Sequence, residues 1–166
     1  MENKKPQISQ TEALRIFTYD NGKLFWKINP SYNIKAGTEA GTLKDNGYRI
    51  ISYKGVSYRT HHLVYFMFRG EYPKQIDHIN AVRDDNRIEN LRLANNSENQ
   101  WNRGLNKCNT TGYKNVMWVE RLKKYTVAIA VNSKSKHIGV FKDLQSAIEA
   151  ATAARMQLHG NFARSI

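Results

Sequence analysis

Asp77 and His78 place a carboxylate beside an imidazole at the end of an apolar stretch. Asn90 follows His78 by 12 residues, and Asn99 follows Asn90 by a further 9. Phosphodiester hydrolysis needs a base that deprotonates water and a Lewis acid that neutralises charge on the phosphorane and leaving oxygen. An imidazole, with an ordinary pKa of about 6.5, suits the first task. Carboxylate and amide oxygens suit the second, because magnesium and manganese prefer hard ligands.

Short elements must position these side chains. Residues 76–79 and 91–93 predict two short strands joined by a loop. Asn95, with Glu98 three residues later, predicts a capping box that opens a helix and places Asn99 in its first turn. A strand, a loop, a second strand and a helix would bring the carboxylate, imidazole and amide within reach of one point.

This segment resembles the HNH endonucleases, and within them the homing branch encoded by introns and phages. The matching residues are Asp77-His78-Ile79-Asn80, Asp85-Asn86, Asn90-Leu91-Arg92 and Asn99, with Asn102 following. The resemblance implies that His78 is the general base and that Asp77 and Asn99 hold one divalent metal ion, Mg²⁺ or Mn²⁺. It also implies a catalytic role for Asn90, which would brace the loop that orients His78. Asn80 departs from the family by replacing a common acidic residue.

Three further residues are candidate phosphate contacts. His61 opens His61-His62-Leu63-Val64, which matches an upstream element of the same family and has either a structural or a phosphate-contacting role. The basic residue Arg83 lies within the central motif, between Asn80 and Asp85, and Arg103 follows Asn102 directly.

Residues 110–163 resemble the DNA-binding domain of plant ethylene-response factors, the APETALA family, which also occurs fused to homing endonucleases. The resemblance rests on Gly112-Tyr113, Val116, Trp118, the Tyr125 strand, Ile138-Gly139-Val140-Phe141, an alanine-rich helix and Leu158-His159-Gly160. Asn115 stands where the family usually has glycine. The resemblance implies that the sheet enters the major groove of double-stranded DNA. The candidate DNA contacts are Arg121 for base readout and, beside it, Lys114, Trp118, Lys123, Lys124, Tyr125 and Lys136.

The periodicity of the whole chain predicts an α+β fold in three parts. Residues 1–57 form a β-rich region with a short helix over 11–19 and a β-meander over 22–58. Residues 58–105 form the ββα-metal HNH nuclease module, beginning with a buried helix over 61–69. Residues 106–166 form three antiparallel strands, over 113–119, 125–131 and 136–141, packed on one helix between Asp143 and Gly160. A glycine-flanked linker, residues 104–112, precedes this last part.

Charge and composition limit the classes of partner and the compartment that we expect. The 166 residues include 26 Lys and Arg against 14 Asp and Glu, a formal net charge of +12, which favours nucleic acid over an anionic membrane surface. The single cysteine, Cys108, excludes zinc-finger sites and favours a reducing compartment. No apolar stretch approaches a membrane span. We expect a cytoplasmic protein in the host cell of a phage or mobile element, with no obligate protein partner evident.

These observations support one leading function and two alternatives. The leading hypothesis is a metal-dependent, site-selective DNA endonuclease of the homing type. One active site per chain predicts that it nicks double-stranded DNA. The alternatives are a catalytically inactive DNA-binding regulator on the same scaffold and an RNA-binding accessory protein, since basic charge and aromatic residues also suit RNA.

Overall fold

The computed structural model describes residues 8–131 and 134–164, which form four α-helices and small antiparallel sheets. The first elements are α1 (Gln10–Ile16), β1 (Phe17–Asp20), β2 (Lys23–Trp26), β3 (Thr42–Leu43), β4 (Arg49–Tyr53), β5 (Val56–Arg59), α2 (Thr60–Arg69), β6 (Ile76–His78) and β7 (Leu91–Leu93). The later ones are α3 (Asn96–Trp101), β8 (Val116–Val119), β9 (Lys124–Val131), β10 (Lys134–Phe141) and α4 (Leu144–His159). The predicted α+β class is confirmed. Contacts divide the chain into two units after Leu93.

The strands of the first unit are joined by tight turns. Asn21-Gly22 and Lys54-Gly55 all have positive φ, between 43° and 85°, and connect β1 to β2 and β4 to β5 through two-residue loops. Such turns match the twist of the strands that they join. The strands of the predicted meander follow one another along the chain, but they form two separate sheets, β1-β2 and β3-β4-β5.

The predicted helix over 11–19 is too long. Helix α1 ends at Ile16, and Phe17 has the extended φ of −121° and ψ of 144° that begins β1. Phe17 and Tyr19 are more buried than Thr18 and Asp20, so the residues after Ile16 follow a period of two rather than a helical period.

Helix α2 is confirmed as a buried helix and centres the core of the first unit. Seven of its ten residues are buried, and it ends at Gly70, whose φ of 74° gives a left-handed C-cap. The same core contains residues from α1, the first strands and the β6–β7 hairpin, including Ile16, Leu24, Ile51, Leu63, Ile76 and Leu91. Packing therefore continues across the predicted boundary at residue 57.

The second unit contains the predicted three strands and helix. The sheet order is β10-β9-β8, and α4 packs on one face of it. Val116 and Val127 contribute to the small core together with Ala147 and Ala151. The Asp143 side chain accepts a hydrogen bond from the backbone N–H of Ser146 and caps α4.

Helix α3 belongs to this second unit. Six residues are too few for an isolated helix to be stable in water. The predicted capping box is present, with Asn95 accepting from the Glu98 backbone and Glu98 accepting from that of Asn95. At its other end the Trp101 ring stacks on His159, with centroids 4.2 Å apart and planes 5° from parallel. The Lys114 ammonium donates to the Trp101 carbonyl oxygen and further fixes this end.

Substitution of Leu63 by alanine should destabilise the first unit by about 2–5 kcal/mol, because the side chain is fully buried in α2 and its loss leaves a cavity. Leu14→Ala in α1 is the matched control, since Leu14 is 46% exposed, and should cost less than about 1 kcal/mol. Urea unfolding followed by circular dichroism measures both. Equal losses in the two variants would contradict the placement of the core.

Candidate active site

The β6–β7 hairpin carries the carboxylate and the imidazole into the interior of the first unit. Its register pairs Asp77 with Arg92 and His78 with Leu91. Asp77 is 7% exposed and His78 is 4% exposed. Buried polar groups of this kind require hydrogen-bond partners, because an unpaired one loses its hydration without compensation.

The partner of Asp77 comes from the opposite strand. Arg92 Nε and Nη2 lie 2.8 Å and 2.6 Å from Asp77 Oδ2. Two bonds of this length fix the Asp77 side chain against the opposite strand.

The partner of His78 comes from the loop between the strands. His78 Nε2 lies 3.1 Å from Asn86 Oδ1, and Asn86 Nδ2 donates to the Asp84 carbonyl oxygen at 3.2 Å. The second bond fixes which end of the amide faces the ring, so Nε2 is the donor in the pair. A neutral imidazole with its proton on Nε2 carries its lone pair on Nδ1.

Asn90 holds the same loop closed. Its Oδ1 accepts from the Asn80 backbone N–H at 3.0 Å, and its Nδ2 donates to Asn80 Oδ1 at 2.9 Å and to the Asp85 carbonyl oxygen at 2.8 Å. Ala81 within this loop has a φ of 59°, a left-handed conformation that is costly for alanine. The hydrogen bonds of Asn90 offset that cost and keep the loop against His78.

Each of the two loop aspartates is paired with an arginine. Arg49 Nε and Nη2 donate to Asp84 at 3.2 Å each, which joins the loop to β4. Arg87 donates to Asp85 at 2.8 Å and 2.7 Å, and this hydrogen bonding lowers the pKa of Asp85 to about 2. Both carboxylates are thereby engaged by arginines of the first unit.

Three histidine rings cluster beneath the hairpin. The His61 ring lies 4.9 Å from that of His78 and 4.7 Å from that of His62. Burial lowers the pKa of His61 to about 2, with further contributions from His62, His78 and Arg59. Burial and then the charge of Arg59 lower the pKa of His62 to about 4. Both rings are neutral at pH 7.

His78 is neutral at the same pH. Burial lowers its pKa below the ordinary value, although the hydrogen bond with Asn86 and the charge of Asp77 act in the opposite direction. A neutral ring is the form that can accept a proton.

The first unit supplies a carboxylate that could bind a metal ion but not a complete set of metal ligands. Within the described ranges, no group of three or more His, Cys, Asp or Glu side chains is placed to hold a metal ion. Asp77 nevertheless offers the anionic oxygen chemistry that Mg²⁺ and Mn²⁺ prefer. Asn99, the other predicted ligand, lies in the first turn of α3, where its backbone N–H donates to the Asn95 carbonyl oxygen at 3.0 Å.

The predicted phosphate contacts differ in exposure. His61 is 2% exposed, which favours the structural alternative for this residue. Arg83 is exposed, and its Nη1 donates to the Asn46 carbonyl oxygen at 2.7 Å. Arg103 is exposed in the second unit, and its carbonyl oxygen accepts from the Lys114 ammonium at 2.7 Å.

The predicted DNA contacts of the second unit do not share one face of its sheet. Trp118 and Tyr125 are cross-strand partners on the face that carries α4. The exposed Lys136 is the cross-strand partner of Ile129 and lies on that same face. Lys124 lies on the open face, opposite Val119. The two remaining exposed candidates, Arg121 and Lys123, lie in the turn between β8 and β9.

Lys114 is the exception among these candidates because its side chain is half-buried. Burial lowers the pKa of Lys114 to about 8, and the charges of Arg155 and Arg164 add to this effect. Its ammonium caps the end of α3, so a DNA contact would have to share those donors.

Sequence reasoning assigned no role to Asn86 and Arg92, which hold His78 and Asp77. Arg92 could have been found from the register, because a hairpin of two three-residue strands places it opposite Asp77. Asn86 gives no such signal, since a polar residue in a polar loop is usually exposed, whereas this one is 1% exposed.

Comparison with known proteins places this site in a family. Residues 58–101 match the family model described as HNH endonuclease. Protein 3.8 of Escherichia phage T7 is 33% identical over 108 residues, which cover 64% of this chain and 88% of the phage protein. No solved structure matches the chain significantly. The chain therefore belongs to the family of the phage T7 Protein 3.8, and its residues 58–101 form an HNH endonuclease domain.

Proposed function

We propose that the chain is a metal-dependent endonuclease that hydrolyses phosphodiester bonds in double-stranded DNA, with His78 as its general base. The observation that carries the proposal is the hydrogen bond between His78 Nε2 and Asn86 Oδ1, at 3.1 Å. Because that bond holds the proton on Nε2, the neutral ring offers Nδ1 as the basic nitrogen. The lowered pKa of His78 keeps it in this form at neutral pH.

The reaction follows from that assignment. A water molecule within hydrogen-bond reach of Nδ1 would give its proton to His78 while its oxygen bonds to phosphorus. The bond from phosphorus to the leaving sugar oxygen breaks in the same displacement, and that oxygen takes a proton from solvent water. The hydroxide so formed is neutralised by the proton that His78 releases to solvent. Asn86 would stabilise the resulting imidazolium, since its amide oxygen continues to accept from Nε2.

We propose that Asp77 is a ligand of one Mg²⁺ or Mn²⁺ ion in the first unit. A bound divalent cation would neutralise charge on the phosphate and on the leaving oxygen. Asp77 contributes formal charge, and its burial limits competition from bulk water. Few protein ligands suffice for such a cation, because phosphate oxygens and water complete its shell.

The second unit supports a role in holding DNA. Its residues 94–166 contain 11 Lys and Arg against 4 Asp and Glu, and its sheet and helix agree with the resemblance to the ethylene-response-factor domain. We propose that Arg121, Lys123 and Lys124, at one end of the β8–β9 ribbon, meet the duplex. A module of this kind would supply site selection in the manner of homing endonucleases.

A single His78 per chain supports nicking as the elementary event, because each strand requires its own hydrolysis. We propose the cytoplasm of a phage-infected cell as the place of action. No helix in the part of the chain that the structure describes is long and apolar enough to cross a membrane.

The pairing of Asp77 with Arg92 favours a second candidate function. Arg92 donates twice to Asp77 Oδ2, so a cation must share or displace that contact. A protein in which the pair never opens would be a catalytically inactive DNA-binding regulator on the same scaffold. The two functions differ in whether the chain cuts DNA.

The full-length protein should convert supercoiled plasmid to the nicked form in Mg²⁺, and excess EDTA should stop the reaction. His78→Ala should lower the rate by about 100–10,000-fold, the usual contribution of a general base, while DNA affinity changes little. His137→Ala is the matched control, since His137 is an exposed histidine on β10, and should retain the wild-type rate.

Gel analysis of limiting-enzyme time courses measures these rates, and anisotropy of a labelled duplex in EDTA measures affinity. Wild-type cleavage by His78→Ala would remove this residue from catalysis. A wild-type chain that binds DNA but never cuts it would establish the regulator instead.

Asn86→Ala should lower the turnover number by about 10-fold or more while leaving KM and DNA affinity unchanged, because it removes the acceptor that positions His78. Asn86→Asp should retain more activity than Asn86→Ala, since a carboxylate oxygen can accept from the same N–H. Asn33→Ala, at an exposed asparagine, serves as the control. Equal activities of Asn86→Ala and the wild-type protein under saturating DNA would show that the contact does not position the base.

A further inference from the structure

Two exposed arginines of the first unit surround one tyrosine ring near His78. Arg59 ends β5, and its guanidinium carbon lies 5.6 Å from the Tyr48 ring centroid. Arg83 belongs to the loop after β6, and its guanidinium carbon lies 5.2 Å from the same centroid. The Tyr48 ring is 6.1 Å from that of His78. Residues far apart in sequence thus place two cations beside the proposed base.

From this geometry we infer that Arg59, Tyr48 and Arg83, here called the Tyr48 clamp, bind a backbone phosphate of the DNA strand presented to His78. The inference rests on the proposed function for the identity of the ligand. The clamp is a separate site from the predicted metal ligands, because none of its residues is Asp77 or Asn99. It would hold the strand in place while an adjacent phosphodiester is hydrolysed.

The charges of the clamp are not neutralised within the protein. Among residues 8–131 and 134–164, neither Arg59 nor Arg83 forms an ion pair. The nearby loop carboxylates are engaged elsewhere, Asp84 by Arg49 and Asp85 by Arg87. Two like charges held near one ring repel each other, so an anion placed at the clamp would relieve that repulsion.

The orientation of the arginines leaves donors for such an anion. A guanidinium has five N–H donors in a rigid plane, and stacking near an aromatic ring fixes that plane without using them. Arg83 uses one nitrogen, Nη1, to reach the Asn46 carbonyl oxygen. This bond anchors Arg83 to the turn before Tyr48 and leaves its other donors for phosphate.

Helix α2 adds positive potential near the clamp, and His61 adds no charge at neutral pH. Helix α2 begins directly after Arg59 and has no acidic residue in its first turn. The positive end of the helix dipole therefore lies next to Arg59. His61, which lies 5.2 Å from the Tyr48 ring, is neutral because burial lowers its pKa to about 2. The positive charge of the clamp therefore comes from its two arginines.

The test is the salt dependence of DNA affinity, measured on the full-length protein by anisotropy of a labelled duplex. EDTA is present throughout, so the result does not depend on cleavage. Each phosphate contact contributes a log–log slope of about 0.9 on duplex DNA. The double variant leaves that one phosphate without either arginine and should reduce the slope by about 0.9. Its affinity deficit relative to wild type should therefore shrink about 3.5-fold between 50 and 200 mM salt. Arg59→Ala and Arg83→Ala should each reduce the slope by roughly half of that amount.

Arg69→Ala is the matched control. Arg69 is an exposed arginine at the far end of α2, about 15 Å from Arg59 at 1.5 Å per residue, and should change the slope by less than half as much. Arg59→Lys should restore most of the slope, because it keeps the charge. Slopes equal to wild type in both clamp variants, or an equal loss in Arg69→Ala, would overturn the clamp.

Two outcomes separate the clamp from the proposed function. If the clamp variants change the slope but the wild-type protein never cuts plasmid DNA, the phosphate site stands and hydrolysis is wrong. If the wild-type protein cuts DNA and the slopes are unchanged, the clamp alone is wrong. Should Arg83→Ala unfold because it loses the bond to Asn46, as circular dichroism would show, Arg59→Ala still decides, since its guanidinium makes no such bond among the described residues.

Discussion

Burial of polar side chains at the β6–β7 hairpin is the constraint on which the rest of the site depends. Asp77, His78, Asn86 and Asn90 are all buried, and leaving any of them unpaired would cost on the order of 1–3 kcal/mol. Their partners come from the opposite strand and from the loop between the strands. The loop conformation, including the left-handed Ala81, is therefore selected by the need to satisfy these groups.

The same constraint links the chemistry to the N-terminal sheet. Arg49 of β4 donates to Asp84 of the loop. Arg83 of the loop donates to the Asn46 carbonyl oxygen, in the turn before β4. The region before the HNH domain therefore supports the site, because its contacts hold the loop whose Asn86 is hydrogen-bonded to His78. This explains why one hydrophobic core includes strands from both sides of residue 57.

Helix α3 shows a comparable dependence in the second unit. Its six residues are held by a capping box at one end and by His159 and Lys114 at the other. The helix that carries Asn99 is therefore ordered by residues more than ten positions away in sequence. A substitution in the C-terminal sheet or in α4 can alter that helix without touching the motif.

Much of the fold could be predicted from the sequence where a local rule governs it. The capping box at Asn95, the buried helix after Arg59 and the N-cap at Asp143 depend on residues close together in the chain, and all three are confirmed. The predicted end of α1, at residue 19, was wrong. The residues after Ile16 pack as a strand with alternating burial instead of continuing the helix.

The motif at Asp77-His78 could be recognised because its spacing is distinctive, but its partners could not. A sequence shows which residues are polar, whereas burial decides which of them must pair. Asn86 and the Tyr48 clamp join segments that are distant in the chain, so no periodicity reveals them. The three-stranded sheet was predicted correctly, yet alternation along β8 and β9 distributes its candidate DNA contacts over two faces.

We propose that the loop holds His78 as a neutral base with its proton on Nε2. ¹⁵N-edited NMR of the imidazole nitrogens at pH 7 tests it most directly, with the His78 signals assigned by their absence in His78→Gln. We expect a protonated Nε2, an unprotonated Nδ1, and loss of this single form in Asn86→Ala. A proton on Nδ1 in the neutral ring, or a fully charged ring at pH 7, would contradict it.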